Sequence, residues 1–172
     1  MLARPLAAAL AAAAVLAASA SAQVADSNGG GLRLAAEARA EAGPKFAVPL
    51  RGPLESGFGY RWGRLHAGLD IAVLGADRVR AALGGVVTKV GYQAHYAGYG
   101  NVVVLRHGDG LSTLYAHLAS YDVRVGDVVE DGEPIGRAGC TGSCTGSHLH
   151  FEVRIGGKPL NPLRFLDVAG PR

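Results

Sequence analysis

Cysteine is nearly absent: the 172 residues hold only Cys140 and Cys144. Without a second pair, a structural site built on four thiolates lacks ligands. No cysteine follows the small-x-small triplet Ala20-Ser21-Ala22, so nothing marks a lipid-modified terminus. Charge of one sign is lacking too. Lys and Arg number 17 against 14 Asp and Glu, and no basic cluster is interleaved with aromatics, which argues against nucleic acid as a partner. The one long apolar run, 6–18, is shorter than the ~20 residues that span a bilayer. Beyond residue 45 no amphipathic helix of useful length can be read.

What is present falls into blocks. Arg4, the alanine-rich run and the triplet before Gln23 read as a secretory signal peptide over 1–22. Export suits a Cys140–Cys144 disulfide closing a small loop; a pair of thiolate metal ligands is the other reading. Losing 1–22 removes Arg4 and no acid, leaving a mild positive excess that suits an anionic polymer such as a cell wall. Residues 23–44 read as a linker, with Gly29-Gly30-Gly31, a possible short helix over 32–41 and a stop at Gly43-Pro44. The domain is expected over 45–168, with a tail at 169–172.

Within that domain, β-branched runs at 85–91, 101–106, 111–115 and 151–155 alternate with turn signals such as Gly108-Asp109-Gly110, Asp131-Gly132 and Gly156-Gly157. Many short strands at close spacing predict a mainly β fold, an antiparallel sheet or sandwich. About 120 residues suffice for one packed core.

The chemistry lies in histidines. His148 and His150 sit two apart beside a strand-like run, so both imidazoles can enter one pocket while Leu149 and Phe151 face the other way. A His-x-His pair alone also fits a surface pair. His66 and Asp70, four apart, are good zinc ligands; a His–Asp hydrogen bond without metal fits the same spacing. His117 follows Tyr115 at a strand end and gains weight from the other motifs. His95 and His107, in a Tyr/Gly loop and before a glycine turn, read as structural or exposed.

In order and surroundings these stretches resemble the LytM/lysostaphin-type zinc endopeptidases, which hydrolyse peptidoglycan. The resemblance is carried by Gly57-Phe58-Gly59-Tyr60-Arg61, His66-Ala67-Gly68-Leu69-Asp70, Gly98-Tyr99-Gly100-Asn101, His107-Gly108-Asp109-Gly110, Tyr115-Ala116-His117-Leu118 and Gly146-Ser147-His148-Leu149-His150-Phe151-Glu152, over about 46–167. It implies a duplicated-hybrid-motif-like β domain with a groove over the sheet. It also implies Zn2+ held by His66, Asp70 and His150, proton work by His117 and His148, and Tyr60 near the developing oxyanion. Cys140 and Cys144 depart from the family's usual small or polar loop; a disulfide there would stiffen the segment before His148.

Two imidazoles and a carboxylate leave a position for water, whose pKa zinc lowers toward ~7. A nearby histidine can take its proton and return one to the leaving amine; which of His117 and His148 does so is not legible. The expectation is an exported, monomeric metalloendopeptidase of periplasm or medium, acting on peptidoglycan peptides, with no stable membrane anchor after signal cleavage. The alternative is a non-catalytic wall-binding activator of another hydrolase. The run Val123-Arg124-Val125-Gly126-Asp127-Val128-Val129 looks like a lipoyl-type module, but the modifiable lysine of such a module is absent.

Overall fold

The computed structural model describes residues 45–75 and 77–167. The signal-peptide, linker and tail readings lie outside them. The described residues form thirteen short strands: β1 Leu54–Ser56, β2 Gly59–Arg61, β3 Arg64–His66, β4 Leu69–Ala72, β5 Arg78–Arg80, β6 Gly85–Tyr92, β7 Asn101–Gly108, β8 Leu111–Ala116, β9 Leu118–Tyr121, β10 Val128–Val129, β11 Pro134–Ala138, β12 His148–Ile155 and β13 Lys158–Leu160. Helical structure among the described residues is limited to 3-10 segments at Ala94–Tyr99 and Pro162–Arg164.

The main sheet runs β1-β4-β12-β8-β7-β6-β10, with β13 beside the far end of β12. A second sheet, β5-β11-β9, and the hairpin β2-β3 complete the set. All named strand pairs are antiparallel, as the glycine-punctuated sequence predicts. The predicted strand at 151–155 is longer than read: β12 begins at His148, so the His-x-His pair lies on the strand itself.

Alternation then sorts the side chains. Leu149, Phe151 and Val153 of β12 enter the main core with Leu69, Tyr115 and Val103, and the second sheet adds Val79, Ile135 and Leu118. Each such side chain, fully buried, stabilises by about 1.5–3 kcal/mol. Val103, Tyr115, Phe151 and Leu69 are successive cross-strand partners, forming one row through the core. The next row, on the opposite face, is Ala116, His150 and Asp70. That face carries a smaller apolar cluster of Val102, Val104, Leu114 and Ala116, covered by Tyr96 and Tyr99 of the 3-10 segment.

His107 has a structural place, as its sequence setting suggests. Its ring nitrogens meet the Gly84 carbonyl at 2.8 Å and the Thr113 hydroxyl at 2.8 Å. Thr113 donates to the hydroxyl of buried Tyr115, which also accepts from the Ala82 N–H at 2.8 Å. Burial pushes the Tyr115 phenol up to about 12. Tyr115→Phe would leave the Ala82 N–H without its acceptor, at a cost of about 1–3 kcal/mol. Urea denaturation should show a lower midpoint at unchanged slope; an unchanged midpoint would count against this network.

Candidate functional site

The site is built on the β4–β12 pair. His150 is paired with Asp70 in the ladder, and alternation sends His148, His150 and Asp70 to the same face. His66 ends β3, and Ala67-Gly68 carries the chain into β4. Gly68 is required there: a Cβ would fall on the Phe151 carbonyl and crowd the Glu152 side chain. His117 lies between β8 and β9 with φ 59°, a left-handed backbone that costs a non-glycine residue roughly 1–3 kcal/mol. Its N–H donates to the Tyr99 carbonyl at 2.9 Å, which helps hold it.

Three ligand-type atoms converge. His66 Nε2 lies 3.1 Å from Asp70 Oδ1 and 3.2 Å from His150 Nδ1; His150 Nδ1 lies 2.7 Å from Asp70 Oδ1. The other ring nitrogens settle the roles. His66 Nδ1 donates to the Gly57 carbonyl at 2.6 Å, and His150 Nε2 donates to Glu152 Oε1 at 3.0 Å. Two imidazole lone pairs and a carboxylate therefore face one point, an arrangement that repels itself unless positive charge lies between. Tetrahedral zinc ligands at ~2.0–2.1 Å from the ion stand roughly 3.3 Å apart, close to the spacing of the two nitrogens. The donor set fits zinc.

His117 and His148 flank this point. Their ring centroids are 4.7 Å apart, and His148 Nε2 is 3.8 Å from Asp70 Oδ1. His117 Nδ1 donates to the Thr141 carbonyl and His148 Nδ1 to the Gly146 carbonyl, each at 2.7 Å. Both keep Nε2 free to accept a proton. Burial, then the neighbouring imidazoles, push His117 down, against the opposing Thr141 hydrogen bond. Burial alone would raise Asp70, but the close His150 and His66 rings hold its carboxyl far below the usual range. For His150 burial acts downward, and the adjacent Asp70 and Glu152 carboxylates prevail and push it up.

These side chains line a groove of about 530 Å³. Arg61 and Trp62 of the β2-β3 hairpin form one wall, Gly98 and Tyr99 another, and the 143–145 segment a third. The Arg61 guanidinium lies 3.6 Å from Asp70 Oδ2 and also bonds Ser56. Five of the six predicted metal and catalytic residues thus meet. Tyr60 does not: its side chain is 81 % exposed and it is not among the groove residues.

The profile of peptidase family M23 matches residues 64–162. The chain belongs to this family. The DD-carboxypeptidase/endopeptidase Mpg of Neisseria meningitidis serogroup B is 45 % identical over 117 residues, which is 64 % of this chain and 26 % of Mpg. The murein hydrolase activator NlpD of Salmonella typhimurium is 36 % identical over 118 residues, 69 % of this chain and 30 % of NlpD. The chain thus spans between a quarter and a third of the length of these curated relatives. Among solved structures, a zinc-containing peptidase from Vibrio cholerae superposes with TM-score 0.62 at 34 % identity, covering 69 % of this chain and 39 % of that one. The catalytic domain of lysostaphin from Staphylococcus simulans gives 0.60 at 32 %, covering 66 % and 91 %.

Sequence reading missed several residues of this M23 site. Glu152 and Tyr99 stand behind His150: the Tyr99 hydroxyl donates to Glu152 Oε1 at 2.6 Å, and Arg154 Nε donates to Oε2. Burial opposes the charge on Glu152, but bonds from His150, Arg154 and Tyr99 hold its carboxyl below the ordinary range. The only signal was its place two residues beyond His150, on the same face of the strand. Thr141 was missed too. It lies inside the Cys140–Cys144 disulfide, whose Cα atoms are 5.5 Å apart. Its carbonyl holds His117, its hydroxyl accepts from the Asn101 N–H and donates to the Leu118 carbonyl, and Ser143 N–H bonds the Gly98 carbonyl.

The disulfide loop therefore reaches the site most directly through the His117 ring, as well as through the backbone leading to His148. Loop-closure entropy for so short a ring gives about 2 kcal/mol. Reduction, or the Cys140→Ser/Cys144→Ser double variant, should lower Tm by several degrees and reduce turnover. Calorimetry with and without reductant reads the first effect; unchanged melting and turnover would refute a structural disulfide.

Proposed function

We propose that this chain is an exported zinc metalloendopeptidase that hydrolyses peptide bonds in peptidoglycan cross-links or stem peptides. The observation that carries the reading is the convergence of His66 Nε2, Asp70 and His150 Nδ1 beside two imidazoles with free Nε2 atoms. Zinc held by those three ligands would acidify a water and polarise the scissile carbonyl. His117 Nε2 and His148 Nε2 are the groups that accept the proton and return it to the leaving amine; their Nδ1–H bonds fix the tautomer this needs. The open groove suits an extended peptide, with Arg61 and Arg64 at its wall to meet carboxylates. Export rests on the signal-like 1–22 segment, and the substrate class rests on the family and on relatives such as Mpg.

A second reading has one observation in its favour, the 36 % identity to a protein named a murein hydrolase activator. Against it, all five ligand and histidine positions are filled and assembled here. Tyr60 has the oxyanion place by resemblance, yet its phenol stands in solvent. The Tyr99 hydroxyl is committed to Glu152.

Residues 23–172, zinc-loaded, should release defined fragments from purified sacculi, identified by mass spectrometry, and lose this with chelator. His66→Ala should empty the metal site. His117→Ala and His148→Ala should keep zinc while turnover falls by about 10²–10⁴. Zinc-bound protein that cleaves nothing but stimulates a second hydrolase would establish the activator reading; loss of zinc from His117→Ala with retention in His66→Ala would overturn the assignment. Tyr60→Phe should turn over like wild type in the same assay. A fall of about 10²–10³ would instead place its hydroxyl at the reacting carbonyl.

A further inference from the structure

Glu152 is the most deeply buried carboxylate among the described residues, with no exposed surface. Its cross-strand neighbour on β8 is Leu114, which in turn pairs with Val104 of β7, so the carboxylate lies beside two apolar residues in the sheet. A buried ion pair is a poor source of stability, because well-packed apolar residues of similar volume often do as well or better. The group therefore calls for another reason to be there, and its contacts supply one.

We propose that Glu152 is the positioning residue of the metal site. Held from behind by Tyr99 and Arg154, it accepts the Nε2–H of His150 and so turns the Nδ1 lone pair toward His66 and Asp70. The inference rests on the metal site proposed above and adds the device that orients one of its ligands. Oε1 receives both the Tyr99 hydroxyl at 2.6 Å and His150 Nε2–H at 3.0 Å; Oε2 receives Arg154 Nε. Every partner is a donor, which only an acceptor at both oxygens can satisfy. Arg154 also lies over the Tyr96 ring, 5.4 Å from its centroid, so it is itself braced. The fit is close on the other side as well: Gly68 leaves no room for a Cβ beside the Glu152 Cγ, so the segment joining His66 to Asp70 packs closely against the stem of this side chain. One side chain thereby abuts the connection between two ligands while bonding the third.

Glutamine keeps the volume but cannot satisfy the three donors. With its oxygen toward His150 and Tyr99, its amide N–H groups face Arg154 Nε. Glu152→Gln should therefore fold and bind zinc about 10–100-fold more weakly in chelator competition. The His150 Nε2–H signal in imidazole ¹⁵N spectra should shift or vanish. Tyr99→Phe, which removes one donor without stranding a charge, should weaken zinc severalfold. Val153→Ala, on the opposite face of β12, should lower Tm and leave zinc affinity unchanged, since a merely structural role would move only stability. Folded Glu152→Gln with wild-type affinity and an unchanged His150 signal would overturn the inference. So would an affinity loss in Val153→Ala that matches it. If Glu152→Gln fails to fold, Tyr99→Phe decides, and wild-type affinity there overturns it. Should wild type and His66→Ala bind zinc equally weakly, the metal site itself falls, a result distinct from the failure of the Glu152 inference alone.

Discussion

The pairing of β12 with β4 is the constraint on which the site depends. It places His150 opposite Asp70 and His148 opposite Ala72, while Phe151 meets Leu69 on the other face. A slip of β12 by one residue would send His148 and His150 into the core and Leu149, Phe151 and Val153 into the groove. The register is secured from the core side, because Leu149, Phe151 and Val153 are fully buried and have no alternative place. Packing chemistry on one face thus fixes ligand geometry on the other. The site inherits the stability of the sheet and needs no structure of its own to align two of its three candidate ligands.

The remaining parts run against local preference. His117 occupies a left-handed backbone, and Glu152 is a carboxylate with no exposure. Each is held by polar contacts: His117 by the distant Tyr99 and Thr141 carbonyls, Glu152 by the distant Tyr99 and by Arg154 on its own strand. Tyr99 serves both, one through its backbone and one through its hydroxyl. It sits at the end of the 3-10 segment that covers the small apolar cluster, so the lid of that cluster is also the brace of the site. The disulfide loop does the same from the other side, with Thr141 docked on Asn101 and Leu118.

Much of this was legible in the sequence, for definite reasons. Strand periodicity puts residues i and i+2 on one face whatever the fold around them, so the common direction of His148 and His150 followed from spacing alone. The antiparallel β class followed from short runs between glycine turns. The meeting of His66 with His150 did not, since nothing local encodes a contact across 84 residues; family resemblance supplied it. Glu152 escaped because burial and partners are tertiary facts: beside Arg154, it reads as an ordinary charged pair on a strand. Tyr60 shows the converse. A six-residue offset from His66 says nothing about which way a phenol leaves a two-stranded hairpin, and here it leaves into solvent.

The four site imidazoles follow one rule with one exception, and the exception explains the buried carboxylate. Each commits one nitrogen as donor and turns the other into the groove. His66, His117 and His148 lie at a strand end, between strands and at a strand start, where free carbonyls are at hand: Gly57, Thr141 and Gly146 each accept from Nδ1. His150 has strands on both sides, β4 and β8, and the carbonyls around it belong to the ladders. Its second nitrogen bonds a side chain, Glu152, and on a strand the residue two positions on shares the same face. Glutamate at 152 suits a candidate ligand histidine in the middle of a sheet, and Tyr99 and Arg154 suit the buried glutamate.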